Sequence, residues 1–317
     1  MDEMEKERML NEIREILRKG GFEIGEPILK SISFDIIAKR DTLVLILKSL
    51  INIDSLRNEV ARELKILGKE LRASPLVIGK KSAMGPILDG VIYSRHGIPI
   101  ISMGTFRDFI LEDINPLVYA SPGGLYVRLD GERLRKIREE QGISLGQLAE
   151  IAGVSRKAVQ LYEEGMSAVV DIALKLEEYL GEELIQPLNL LTFGDLQEKR
   201  YNPHDLNSRD MELREVYTKL KSIGYDVYLT LKCPFEVLTK DEEDVLLTGI
   251  TRDMKGVKYK AMNLRIITRI LEKNAFIVVS KTKYEEIEGI PLIGKEELME
   301  IERREEIKKM VRERSAL

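Results

Sequence analysis

Apolar and polar positions alternate along the chain in two different rhythms. From the N-terminus to about residue 116 the pattern switches between helical and extended periods. Met9 to Lys19 reads as a helix with one polar face, closed by Gly20 and Gly21. "GFEIGEP" and "FDIIAKRDTLVLILKSL" read as strands, the second stretch turning at Lys39, Arg40 and Asp41. "SLRNEVARELKILGKEL" places Leu56, Val60, Leu64 and Leu67 on one helical stripe. "PLVIGKK" and "GIPIIS" are short apolar runs bounded by Gly and Pro, as buried strands are. Strands alternating with helices predict an α/β layer arrangement.

The same order returns near residues 211–302. "LREVYTKLKSIGYDVY" stands where "NEIREILRKGGFEIG" stood, and "FEVLTKDEEDVLL" lies over "FDIIAKRDTLVLI" without a gap. "YKAMNLRIITRILEKNAFIVVSK" and "GIPLIGKEELMEI" match the remaining blocks in turn. Four blocks in one order predict an internal duplication, with a period too long for a solenoid. The predicted fold is therefore multidomain α+β, with two related α/β domains flanking a central all-α segment. The expected boundaries are 1–116 for the first α/β domain, 117–127 for a linker and 128–190 for the central domain. A second linker follows at 191–210, then the second α/β domain at 211–302. The charged tail, 303–317, is expected to be a helix with a solvated surface.

The central segment has a helical rhythm throughout. A helix near Glu132–Glu140 turns Leu134 and Ile137 inward and ends at Gly142. Ser144 is placed to cap a second helix, with Gln147 three residues later completing a capping box. Leu148, Ala149 and Ala152 form its inner stripe, and Gly153 supplies the positive φ of a tight turn. Ser155 caps a third helix whose Val159 and Tyr162 point inward, leaving Arg156, Lys157 and Gln160 outward. A fourth helix is expected from Ser167 to Leu180. Two cations and an amide at the start of an exposed helix suit the major groove. Arg and Lys match guanine acceptors there, and Gln can pair with adenine.

These motifs, "LRKIRE", "QLAEIAGVS" and "YEEG", resemble the phage-repressor (Cro/repressor, XRE) helix-turn-helix domain over about 60 residues. The resemblance implies a DNA-reading role for Arg156, Lys157 and Gln160. It implies backbone phosphate contacts for Ser144, Gln147 and Ser155, and a structural salt bridge between Arg138 and Glu163. Two positions depart from the pattern. Leu145 replaces a polar phosphate-contacting residue, and Gly146 weakens the first turn of the second helix. The whole architecture also resembles the archaeal HTH-type transcriptional regulatory proteins, which implies a regulator of transcription.

Composition narrows the alternatives. A net charge of −4 offers no global basic field, so contact with double-stranded DNA must rest on a local patch. Cys233 is the single cysteine, and His96 and His204 are the only histidines, which leaves little for a disulfide framework or a metal cluster. Cys233 reads as a structural thiol and His96 as a loop residue; no cofactor or resident metal is expected. The N-terminus is too charged for a signal peptide, and no apolar run reaches the roughly 18 residues of a membrane span. A cytoplasmic protein without membrane contact is expected, acting as a homodimer by the two-half-site logic of this motif.

The flanking segments suggest a competing chemistry. "SFDIIAKRDTLVLILK" resembles the strand pair of restriction-endonuclease-like and resolvase-like folds, where an Asp and a Glu-x-Lys hold a divalent metal. Asp35 and Lys48 fit, but Ile46 stands where the second carboxylate belongs; Glu59 or Glu63 could replace it from the next helix. In the second copy Glu236 matches Asp35, and Gly249 replaces the lysine. The expectation is a degenerate nuclease-like fold without catalysis, Lys48 capping a strand, binding phosphate or lying in solvent. A metal-dependent nuclease and a protein-contact scaffold stand as the alternatives.

Overall fold

A computed structural model describes residues 2–25, 33–194, 211–242, 244–252 and 254–315. The end of "GFEIGEP", most of the expected linker at 191–210 and His204 lie outside the described residues. The helices are α1 (Asp2–Lys19), α2 (Asn58–Glu70), α3 (Met103–Leu111), α4 (Gly131–Glu140), α5 (Leu145–Ala152), α6 (Arg156–Glu163), α7 (Val170–Leu180), α8 (Met211–Ser222), α9 (Met254–Leu271), α10 (Lys295–Glu300) and α11 (Arg304–Arg314). The chain forms two compact units: residues 1–49, 56–76 and 195–317 make one, and residues 50–55 and 77–194 the other.

The strands Ile36–Arg40 and Leu43–Asn52 are joined by a turn at Asp41, the last of the three residues at which the sequence places it, with φ of 52°. Leu56, Val60, Leu64 and Leu67 are buried as their stripe predicts. Burial goes further round α2 than one face, taking in Ala61, Glu63, Lys65 and Glu70. The C-terminal part holds a six-stranded sheet in the order Asp226–Leu229, Val237–Lys240, Val245–Thr251, Asn274–Val279, Ile290–Gly294, Glu286–Ile287. Its pairings run antiparallel, antiparallel, parallel, parallel and antiparallel.

The N-terminal segment shows the corresponding senses. Glu23–Gly25 pairs antiparallel with Ile36–Arg40, which pairs antiparallel with Leu43–Asn52. Further along the chain, in the second unit, Val77 and Ile78 pair parallel with Ile100 and Ile101, and Ile98–Ile101 pairs antiparallel with Val91–Arg95. The two hairpin turns agree as well: His96 and Gly97 have φ of 52° and 77°, and Glu288 and Gly289 have 55° and 74°. His96 is thus a turn residue, as expected, in a two-residue loop that needs positive φ at both positions.

Within the first unit the two segments pack on one another, and several contacts are reciprocal. Lys39 pairs with Glu272 at 2.6 Å, just past the end of α9; Lys240 pairs with Glu70 at 2.9 Å, the last residue of α2. Lys39 and Lys240 are matched positions in the aligned strands. Gly25 approaches so closely that an added Cβ would lie 2.7 Å from Ile270 of α9. The charged tail is helical, as its sequence suggests, but it is not merely a solvated surface. Ile307 and Val311 of α11 are buried in the core with Leu220, Phe276 and Ile293, and Arg314 is bound by Glu297. Two apolar residues four apart suffice to seat a helix whose other faces are charged.

In the second unit the helices α4 to α7 surround a core of Leu134, Leu148, Ala152, Val159 and Leu176. Part of the stretch expected as the linker 117–127 is a β-hairpin, Val118–Ser121 with Gly124–Leu129, and its Val127 and Leu129 complete that core. The expected helix from Ser167 begins at Val170 instead. Ala168 and Val169 form a short strand on Val127 and Tyr126, and that pairing satisfies backbone groups the helix would otherwise have held.

Candidate nucleic-acid interface

The helix-turn-helix is built by its caps. The Ser144 hydroxyl accepts from the Gln147 amide nitrogen at 3.2 Å, and the Gln147 side-chain oxygen accepts from the Ser144 nitrogen at 2.9 Å, closing the capping box at the start of α5. Gly153, at φ of 72°, ends α5 in the left-handed conformation that residues with a Cβ disfavour. Two residues later Ser155 caps α6, its hydroxyl accepting from Ala158 at 3.1 Å. α6 then buries Val159 and Tyr162 and exposes Arg156, Lys157 and Gln160. Burial pushes the Tyr162 phenol upward.

The frame is locked by Arg138 of α4 and Glu163 of α6, whose side chains are 11% and 9% exposed. Arg138 Nε donates to Oε1 at 2.5 Å and Nη2 to Oε2 at 3.3 Å, a two-pronged pair, while Nη1 donates to the Ile143 carbonyl at 3.0 Å. Hydrogen bonding to Glu163 raises the Arg138 pKa further. One arginine thereby ties the first helix, the connection to the second and the end of the third.

The exposed face of α6 is chained in part. Lys157 Nζ donates to Gln160 Oε1 at 3.3 Å, and Gln160 Nε2 donates to Glu164 Oε1 at 2.9 Å. Arg156 lies apart from this chain and rests against Gly146 of α5, a contact the sequence does not announce. Leu145, the apolar departure, packs partly buried on the helical core.

The nuclease-like strand pair occupies the first unit. Asp35 Oδ1 accepts from Lys6 Nζ at 2.7 Å, and Oδ2 accepts from the Ser49 backbone nitrogen at 2.8 Å. Lys48 is not solvated, being only 7% exposed; burial pushes its ammonium pKa down against the opposing pull of Asp35. Ile46 is fully buried. Glu63 is fully buried too, accepting from the Ser33 hydroxyl at 2.6 Å, the Lys232 backbone nitrogen at 3.0 Å and the Cys233 thiol at 3.3 Å. Burial raises the Glu63 pKa, with these donors opposing it, and burial together with Glu63 raises that of the Cys233 thiol well above its ordinary value. A thiol held protonated beside a carboxylate is structural and unreactive.

The matched strands of the second segment repeat this geometry 201 residues on. Asp35 N donates to the Leu47 carbonyl, and Glu236 N to the Thr248 carbonyl; Ser49 N donates to Asp35, and Ile250 N to Glu236. Where Gly249 replaces the lysine, the side chain of Lys260 from α9 runs through the vacated space and pairs with Glu236. No sequence signal marks Lys260, because its path to Glu236 is opened by the missing Cβ of Gly249 on the preceding strand.

A divalent metal does not fit the site at Asp35. Both Asp35 oxygens are engaged, the second carboxylate is Ile46, and Glu63 is held by three donors. Among the described residues no three His, Cys, Asp or Glu side chains converge to hold a metal ion. Nor is any described helix long and apolar enough to cross a membrane.

Comparison with known proteins agrees with both sites. A PD-(D/E)XK superfamily domain matches residues 6–116, and a helix-turn-helix domain matches residues 134–185. No solved structure matches. Proteins named "Putative HTH-type transcriptional regulatory protein" match nearly end to end. That of Archaeoglobus fulgidus is 36% identical over 310 residues, covering 97% of this chain and 98% of its own. That of Thermococcus kodakarensis is 36% identical over 313 residues, covering 97% and 96%, and that of Pyrococcus horikoshii 36% over 316 residues, covering 98% of each. A chain with a capped helix-turn-helix, a PD-(D/E)XK domain and relatives at this identity over their full length belongs to the family of archaeal HTH-type transcriptional regulatory proteins.

Proposed function

We propose that this chain is a sequence-specific regulator of transcription that lays α6 in the major groove of double-stranded DNA. The observation that carries the reading is the exposed start of α6, where Arg156, Lys157 and Gln160 share a capped and braced helix. Arg156 and Lys157 reach guanine acceptors, and Gln160 exchanges its bond to Glu164 for an adenine edge. Ser144, Gln147 and Ser155 face the backbone. The Gln147 oxygen serves the capping box, which leaves its amide hydrogens to donate to a phosphate, as the two cap hydroxyls also can.

The reading extends to the rest of the molecule. Residues 128–190 form the DNA-binding domain, and two α/β domains descended from one duplication flank it. Support for the duplication comes from the repeated carboxylate geometry, the shared pairing senses and the reciprocal lysine–glutamate pairs. The protein acts in the cytoplasm as a homodimer without enzymatic activity, two reading helices matching two half-sites.

Selection of bound sequences from random duplex DNA tests the reading. A defined site should emerge, and Arg156→Ala should relax one of its positions at a cost of about 1–3 kcal/mol. Selection that yields no preferred sequence ends the proposal. The superfamily match at residues 6–116 makes nuclease activity the second reading to test. Plasmid or branched DNA with Mg²⁺ or Mn²⁺ should stay intact; cleavage that disappears in Asp35→Ala would reverse this part of the assignment.

A further inference from the structure

We infer that Gly146 is a specificity-determining residue that positions the Arg156 guanidinium, an inference that rests on the proposed DNA-reading role of α6. A Cβ built on Gly146 would stand 2.9 Å from Arg156 Nε, 3.0 Å from Nη2 and 3.2 Å from Cζ. All three atoms belong to the guanidinium plane, so that plane lies over the bare α-carbon in the first turn of α5. Any residue but glycine would push it aside.

Fold stability does not account for glycine here. In a helix glycine is less favourable than alanine by up to about 1 kcal/mol. The atoms an alanine would meet are the far end of a flexible side chain, which can swing away at little cost. What glycine gains is the location of one side chain. Among the described residues Arg156 has no ion pair or hydrogen bond to fix it, whereas Lys157 and Gln160 are tied to one another and to Glu164. The seat on α5 therefore holds a planar, five-donor fork in place before DNA arrives. A pre-placed fork loses less conformational freedom on pairing with the two acceptors of guanine. The departure from the helix-turn-helix pattern at residue 146 thus becomes part of the reading apparatus.

The test compares full-length Gly146→Ala, Arg156→Ala, Arg156→Lys and the Gly146→Ala/Arg156→Ala double variant against the selected site and its single-base variants. Gly146→Ala should unfold at the wild-type temperature or higher. It should lose discrimination by at least about fivefold at the base pair where Arg156→Ala loses it, with other positions unchanged. In the Arg156→Ala background the same change should have no further effect. Arg156→Lys keeps the charge but not the planar fork, so it should lose the same discrimination while retaining the salt dependence of binding. Full discrimination by Gly146→Ala at that base pair, or an equal effect in the Arg156→Ala background, overturns the inference while leaving α6 as the reader. Wild-type protein without sequence preference overturns both.

Discussion

At the scale of single residues, the helix-turn-helix depends on one ion pair more than on any surface charge. Arg138 and Glu163 are both nearly enclosed and joined by two hydrogen bonds. Removing one partner of such a pair leaves the other buried without compensation. Arg138→Ala should therefore cost about 3 kcal/mol in the unfolding of residues 128–190, read from denaturant midpoints. Exposed pairs on the same helix, such as Arg135 with Glu139, should cost under about 1 kcal/mol. A loss at Arg138 no larger than at Arg135 would show that the pair carries no structural load.

At the scale of elements, α2 carries a buried acid whose ionisation is linked to folding. The Glu63 pKa is raised by burial, so the folded chain retains a proton that the unfolded chain releases. The resulting stabilisation is fully present below the ordinary carboxylate value and fades as pH rises through the raised native value. Glu63→Gln removes this dependence. The unfolding free energy of the wild type minus that of Glu63→Gln should consequently fall as pH rises from about 4 upward, measured by chemical denaturation. A difference that is flat or grows with pH contradicts the assignment.

The same elements show how much the sequence discloses. Local chemistry was fully legible: the capping box at Ser144 and Gln147, the left-handed Gly153, the inward Val159 and Tyr162 and the outward Arg156, Lys157 and Gln160 all occupy their expected positions. Such features are set by neighbours three or four residues away. Features decided across the fold were not legible. The hairpin at Val118–Leu129 looked like a linker because its Val127 and Leu129 are buried by the helical core, and α11 looked solvated because Ile307 and Val311 are its two buried residues. Lys6 on Asp35, Lys260 on Glu236 and Arg156 on Gly146 are likewise pairings that no spacing rule connects.

At the scale of the whole molecule, the first unit is assembled from the two ends of the chain. Its halves are joined by Lys39 with Glu272, by Glu70 with Lys240 and by the donors that Lys232 and Cys233 direct to Glu63. Residues 1–194 and 211–317, produced together as two separate chains, should consequently copurify. Glu70→Lys on the first should weaken the association, since Glu70 is 2% exposed in its side chain and would then face Lys240 as a like charge. Independent elution of the two chains in size-exclusion chromatography would refute this.

The carboxylate of Glu63 meets its partner at Lys232 only 169 positions later along the polypeptide. At about 5–20 residues added per second, the ribosome takes roughly ten to thirty seconds to supply that partner. Throughout that interval the newborn front half holds Glu63 by the Ser33 hydroxyl alone, without the Lys232 and Cys233 donors that arrive with the closing piece.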